Sequence, residues 1–124
     1  MQVPILKQGD FLIATVQAAL TDADLLQLQE DLVQRVGRLR SRGVIIDVTT
    51  MDVLDSFASR TLYAIAHMTR LRGAETVVVG IQPDVAYAMV QLGLKLEGVT
   101  TTLDLEEGMT LLQRLTTRRR GHGQ

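Results

Sequence analysis

The run Val44-Ile45-Ile46-Asp47-Val48 limits what this chain can fold into more than any other stretch. It is apolar and β-branched without alternation, which fits a strand covered on both faces inside a largely parallel sheet. Residues 76–81 repeat the pattern as Thr76-Val77-Val78-Val79-Gly80-Ile81. After Val48 comes a polar loop, and then Asp55-Ser56 opens a helical stretch. Hydroxyls and carboxylates therefore collect where a central strand gives way to a helix N-terminus.

The rest of the chain is read around those strands. Residues 3–7 and 11–17 are predicted strands joined at Gln8-Gly9-Asp10, a hairpin signal that makes the first pair antiparallel. Thr21 or Asp22 caps a helix whose Leu25, Leu28, Leu32, Val36 and Leu39 recur at spacings of three and four, with Leu26 and Val33 widening the stripe. Asp22, Asp24, Glu30 and Asp31 lie in its first half and Arg35, Arg38, Arg40 and Arg42 in its second, as the helix dipole favours, and Gly43 reads as its stop. The helix from Ser56 to about Arg72 carries Phe57, Leu62, Ile65, Ala66, Met68 and Leu71 and ends at Gly73. Pro83 opens a third helix with Val85, Ala86, Met89, Val90 and Leu92, stopping at Gly93. Residues 100–103 form a short last strand, and Asp104 or Leu105 starts a fourth helix with Met109, Leu112 and Leu115 inward.

The predicted order is ββαβαβαβα, an α/β fold with a mixed, largely parallel five-stranded sheet and four helices. It occupies residues 1–117 as one domain, and residues 118–124 read as a basic flexible tail. In such sheets sites form beyond the carboxyl ends of the strands. The loop after the third strand lies at that edge.

Composition narrows the function. At 124 residues the chain can bury about two-thirds of its unfolded surface without staples. It has no cysteine, which excludes thiol nucleophiles and thiolate metal sites and fits a reducing compartment. No apolar stretch is long enough to span a bilayer and no leader is evident, so a cytoplasmic location without membrane association is expected. The net charge is −1, yet three of the thirteen basic residues are Arg118-Arg119-Arg120; the body carries ten basic against fourteen acidic residues. With two Phe, two Tyr and no Trp it offers no stacking platform, so nucleic acid is not an expected partner.

Catalytic readings fare poorly. A Ser-His-Asp site needs a histidine beside the nucleophile, and His67 lies roughly 16 Å down the helix from Ser56 by helical rise. His67 therefore reads as a helix-surface residue, and His122 falls in the expected tail. Neither glycine-rich phosphate-binding motif is present. Asp47, Asp52 and Asp55 form the one carboxylate cluster near a sheet edge and suit either Mg²⁺ and a phosphoaspartate receiver or plain structural work, with Asp55 capping the helix and Asp47 and Asp52 fastening the loop. Ser56 is either a helix-start serine or a phosphoacceptor beside unpaired N–H groups at the positive end of the dipole. Ser59, Thr49 and Thr50 compete for that role.

The element order, the apolar strand ending in Asp47 and the segment Met51-Asp52-Val53-Leu54-Asp55-Ser56 resemble the STAS domain of bacterial anti-sigma-factor antagonists over residues 1 to about 117. Pro4-Ile5-Leu6-Lys7, Gln29-Glu30-Asp31-Leu32, Asp55-Ser56-Phe57, Gly80-Ile81-Gln82-Pro83 and Leu103-Asp104-Leu105-Glu106 are similar to the RsbS subgroup, single-domain proteins of the stressosome. The family motif Asp-Ser-Ser/Thr-Gly matches at Asp55 and Ser56 and departs at Phe57 and Ala58, the Phe agreeing with the subgroup. The resemblance implies a non-enzymatic scaffold, without metal or cofactor, that sequesters an RsbT-like serine kinase until Ser56 is phosphorylated. It also implies co-assembly with RsbR-like STAS proteins in a large complex. The contact surface it suggests is the loop 49–56 with Phe57, Ser59, Arg60 and Tyr63. A Mg²⁺-dependent receiver-like domain and a small-ligand-binding STAS module remain the alternatives.

Overall fold

The structure, a computed structural model, describes residues 3–18 and 20–122, with side chains as far as Thr117. Its elements run β1 (Ile5–Gln8), β2 (Phe11–Thr15), α1 (Asp22–Leu39), β3 (Gly43–Asp47), α2 (Ser56–Leu71), β4 (Glu75–Val79), α3 (Pro83–Gln91), β5 (Thr100–Thr102) and α4 (Leu105–His122). The five strands lie in sequence order in one sheet, β1 antiparallel to β2 and every later pair parallel. The element order, the antiparallel first pair and the parallel remainder are as the sequence predicts.

Strand periodicity sorts the apolar side chains into two layers. Leu12, Ala14, Val44, Ile46 and Val78 pack with Leu28 and Leu32 of α1, Leu62 and Ile65 of α2, and Val85 and Met89 of α3. Phe11, Ile13, Ile45, Val77 and Val79 pack instead with Leu112 of α4. Three helices thus cover one face and α4 the other, so the unalternating run of β3 is buried from both sides.

Each of the first two helices starts on a side-chain cap. At α1, Thr21 and Asp24 form a capping box, and the Thr21 N–H donated to Asp24 holds that exposed carboxyl below its ordinary range. At α2 the cap is Asp55.

Several expectations fail in instructive ways. Helix α1 stops at Leu39, with Arg40 in the left-handed conformation as its C-cap, and Gly43 is the first residue of β3 rather than the stop. On α2, Met68 and Leu71 are exposed while Thr69 is buried, its hydroxyl 2.7 Å from that of Thr76 on β4. Two hydroxyls that satisfy each other can occupy a core position that sequence patterning reserves for apolar residues. Helix α3 buries only Val85 and Met89 and leaves Val90 and Leu92 exposed. Helix α4 runs to His122, since arginine is a good helix former and no proline intervenes. The side chains of Arg118-Arg119-Arg120 and His122, and all of residues 123–124, lie outside the described residues.

Ile46 has no exposed surface and sits beneath α1 and α2. Ile46→Ala should cost about 2–5 kcal/mol in denaturant melts with an unchanged m-value, and a loss below about 0.5 kcal/mol would remove β3 from the centre of the core.

Candidate functional site

Strands β2 to β5 are parallel, so all four helices begin at the same edge of the sheet, where the strands end. The loop between β3 and α2 is fixed there from both sides. The backbone N–H of Val16 donates to the Asp47 carbonyl at 2.9 Å, and that of Val48 to the Val79 carbonyl at 3.0 Å. Met51 and Leu54 are buried in the α1–α2–α3 layer and pin the middle of the loop, while Val53 between them is exposed.

Side chains complete the fastening. Asp47 accepts from the backbone N–H of Thr49 at 2.9 Å and from its hydroxyl at 2.5 Å, a local turn of the kind short carboxylates stabilise. The Thr50 hydroxyl donates to the Val16 carbonyl at 2.9 Å. Across the edge, the Gln82 amide donates to the Thr49 carbonyl at 2.6 Å. Gln82 is the N-cap residue of α3 but makes no side-chain capping bond, because its amide is committed to the neighbouring loop. Gly80, at φ +84°, lies so close to Thr49 that an added Cβ would collide with the Thr49 side chain. Neither Gly80 nor Gln82 stood out as a site residue in the sequence; a glycine directly after a buried strand and an amide directly before a helix-opening proline were the available signals.

The loop delivers the chain to α2. Asp55 accepts from the Ala58 N–H at 2.8 Å and so takes one of the donors that a helix start leaves unpaired. Ser56 follows as the first helical residue, exposed and without a hydrogen-bond partner among the described residues. Arg60 and Tyr63, one and two turns on, are exposed along the same stripe, and Phe57 is half-buried against the core.

Two expectations about this helix are corrected. Ser59, grouped with Arg60 and Tyr63 as a partner-facing residue, is 2% exposed, its hydroxyl buried without a partner. It lies on the side of α2 that meets the core, as Ala58 and Leu62 do. His67 is half-buried rather than on the surface, its ring centroid 4.2 Å from that of Tyr63 and its Nε2 enclosed.

The carboxylates do not converge. Asp47 is engaged with Thr49, Asp55 with Ala58, and Asp52 is exposed; among the described residues no three His, Cys, Asp or Glu side chains come together as a metal site. A phosphoaspartate receiver needs such a convergence. Among the same residues no helix is long and apolar enough to cross a membrane.

A five-stranded mixed sheet under three helices, with an exposed serine opening the helix after its central strand, defines a class. The chain belongs to the STAS domain family, whose pattern covers residues 2–108. Within that family it is similar to RsbS of Moorella thermoacetica, solved in a form with one serine changed to glutamate: TM-score 0.81, 32% identity, covering 94% of this chain and 99% of that one. It is also similar to a chain from the molecular architecture of the stressosome, a signal integration and transduction hub, with TM-score 0.77 and 34% identity over 91% of this chain and 98% of that one. Among curated proteins, the RsbT co-antagonist protein RsbRA of Bacillus subtilis (strain 168) is 31% identical over 93 residues, which is 75% of this chain and 34% of that protein. The chain spans about a third of the length of the RsbT co-antagonist proteins it matches.

The capping geometry separates Asp55 from its neighbour. Asp55→Ala should cost about 1 kcal/mol of stability as the loss of an N-cap, whereas Ser56→Ala should stay within about 0.5 kcal/mol of wild type. Equal losses in chemical melts would mean that Ser56 shares the capping role.

Proposed function

We propose that this protein is a non-enzymatic component of a stressosome, which holds a switch serine kinase of the RsbT kind and releases it when Ser56 is phosphorylated. The observation that carries the reading is a difference among four hydroxyls. Those of Thr49 and Thr50 are committed to Asp47 and to the Val16 carbonyl, that of Ser59 is buried, and that of Ser56 is exposed and uncommitted. Likeness to an RsbS solved with a serine changed to glutamate, and to a chain of the stressosome, supports the same reading.

Phosphate on Ser56 adds about 1.5–2 negative charges at pH 7 beside Asp55 and Asp52, which repel it. The first N–H groups of α2 and the Arg60 guanidinium one turn on attract it. These opposed contributions leave the fold standing and change the surface that a kinase would cover. That surface is the loop 49–56 with Phe57, Arg60 and Tyr63; Ser59 has no part in it. Co-assembly with RsbR-like STAS proteins, and a cytoplasmic location, belong to the same proposal.

Incubation with ATP and the cognate kinase should place phosphate on Ser56 by mass spectrometry, and Ser56→Ala should remain unmodified and folded. Ser56→Asp, with one charge in place of nearly two, should weaken kinase binding about tenfold rather than abolish it. Phosphate on Thr49 or Thr50 instead, or unweakened binding by Ser56→Asp, would overturn the assignment. Mixed with an RsbR-like partner, the protein should elute as a complex far larger than a dimer; separate elution at micromolar concentrations would remove the scaffold role.

A further inference from the structure

The edge of the sheet opposite Ser56, where α1 and α2 end and β3 and β4 begin, holds a cleft of about 500 Å³ lined by Gly37, Arg40, Ser41, Arg42 and Arg72 among others. Among the described residues no carboxylate lines it, and none of its three guanidinium groups has an ion-pair partner or donates to a helix carbonyl. The nearby ion pair joins Arg70 to Glu75 at 3.7 Å and leaves the three arginines out.

Arginines near helix C-termini ordinarily serve the dipole, about half a charge per helix. Two features here go beyond that. Arg40 sits at φ 51°, ψ 42°, and it is the one described non-glycine residue at positive φ; the other five such positions are all glycine. An L side chain in this conformation costs about 1–2 kcal/mol, so position 40 keeps its guanidinium against a backbone preference for glycine. The Arg72 guanidinium, in turn, lies against Gly37 in the last turn of α1, where an added Cβ would collide with it. A glycine inside a helix is itself costly, and here it provides a seat for one arginine.

Guanidinium forks match planar carboxylates and phosphates bidentately, and three of them in one small cleft call for a ligand carrying several negative charges. No aromatic side chain lines the cleft to stack a base. We propose that it is an oligophosphate-binding site, in which Arg40, Arg42 and Arg72 hold a di- or triphosphate group from either an inorganic chain or the phosphate tail of a nucleotide. It is separate from the Ser56 edge and does not depend on the function assigned there.

Calorimetric titration of sodium tripolyphosphate into the full chain tests this. Saturable binding is expected, weakened about tenfold by Arg42→Ala or Arg72→Ala and unchanged by Lys95→Ala outside the cleft. Arg72→Lys should recover little, because an ammonium lacks the fork. Arg40→Gly is the sharpest variant: relief of the left-handed strain should raise the melting temperature while affinity falls, a combination that a purely structural Arg40 would not give. ATP binding as tightly as tripolyphosphate would identify the phosphate chain alone as the ligand, and tighter ATP binding a nucleotide; both support the site. The site is overturned if no saturable binding occurs below about 1 mM, if Arg72→Ala and Arg40→Gly bind as wild type does, or if binding is lost only when Arg118-Arg119-Arg120 are all changed to alanine.

Discussion

Burial of β3 on both faces is the constraint from which the rest of this structure follows. Val44 and Ile46 need one apolar layer and Ile45 another, and a strand so placed cannot lie at an edge or face water. Parallel neighbours require crossover helices, and the helices that supply the crossovers also supply the two layers. Once β3 is central, Asp47 is carried to the sheet edge and Ser56 to the surface above it.

The site is a consequence of how little freedom that edge has. Asp47, Thr50, Gly80 and Gln82 come from two loops and meet within one hydrogen-bonded patch, and buried Met51 and Leu54 prevent the loop from lifting away. A serine on a mobile loop would present many geometries to a partner. Here Ser56 rests on a capped helix whose preceding loop is pinned, so the chemistry of one hydroxyl is offered on a nearly fixed surface.

Local signals made much of this legible beforehand. The order of elements along the chain, the Thr21 and Asp55 caps and the position of Ser56 rest on periodicity and on residue types that act within one turn. What failed depended on packing between elements. Ser59 and Arg60 are adjacent in sequence, and which of them faces inward is set by where α2 meets the core. Thr69 could be placed inside only with knowledge that Thr76 lies opposite. Glycine is the usual residue at a helix end and Gly43 reads as the stop of α1, whereas the chain turns at Arg40 and gives Gly43 to the strand. Gln82 could not be connected with Thr49 from sequence, because a separation of 33 residues closes only through the sheet.

The common starting edge of the four helices has a consequence beyond any one of them. Asp22 and Asp24, Asp55, Asp84, and Glu106 with Glu107 each suit the start of their own helix, and Arg38 and Arg70 each suit an end. Because the helices run the same way, these separate adjustments add vectorially, giving the domain an acidic pole above the sheet and a basic pole below it. Such a particle turns in the field of an approaching charged body before contact, within about a Debye length of 8–10 Å at ordinary ionic strength. Helix capping, a matter of single turns, thereby gives the molecule a preferred heading during diffusional encounter.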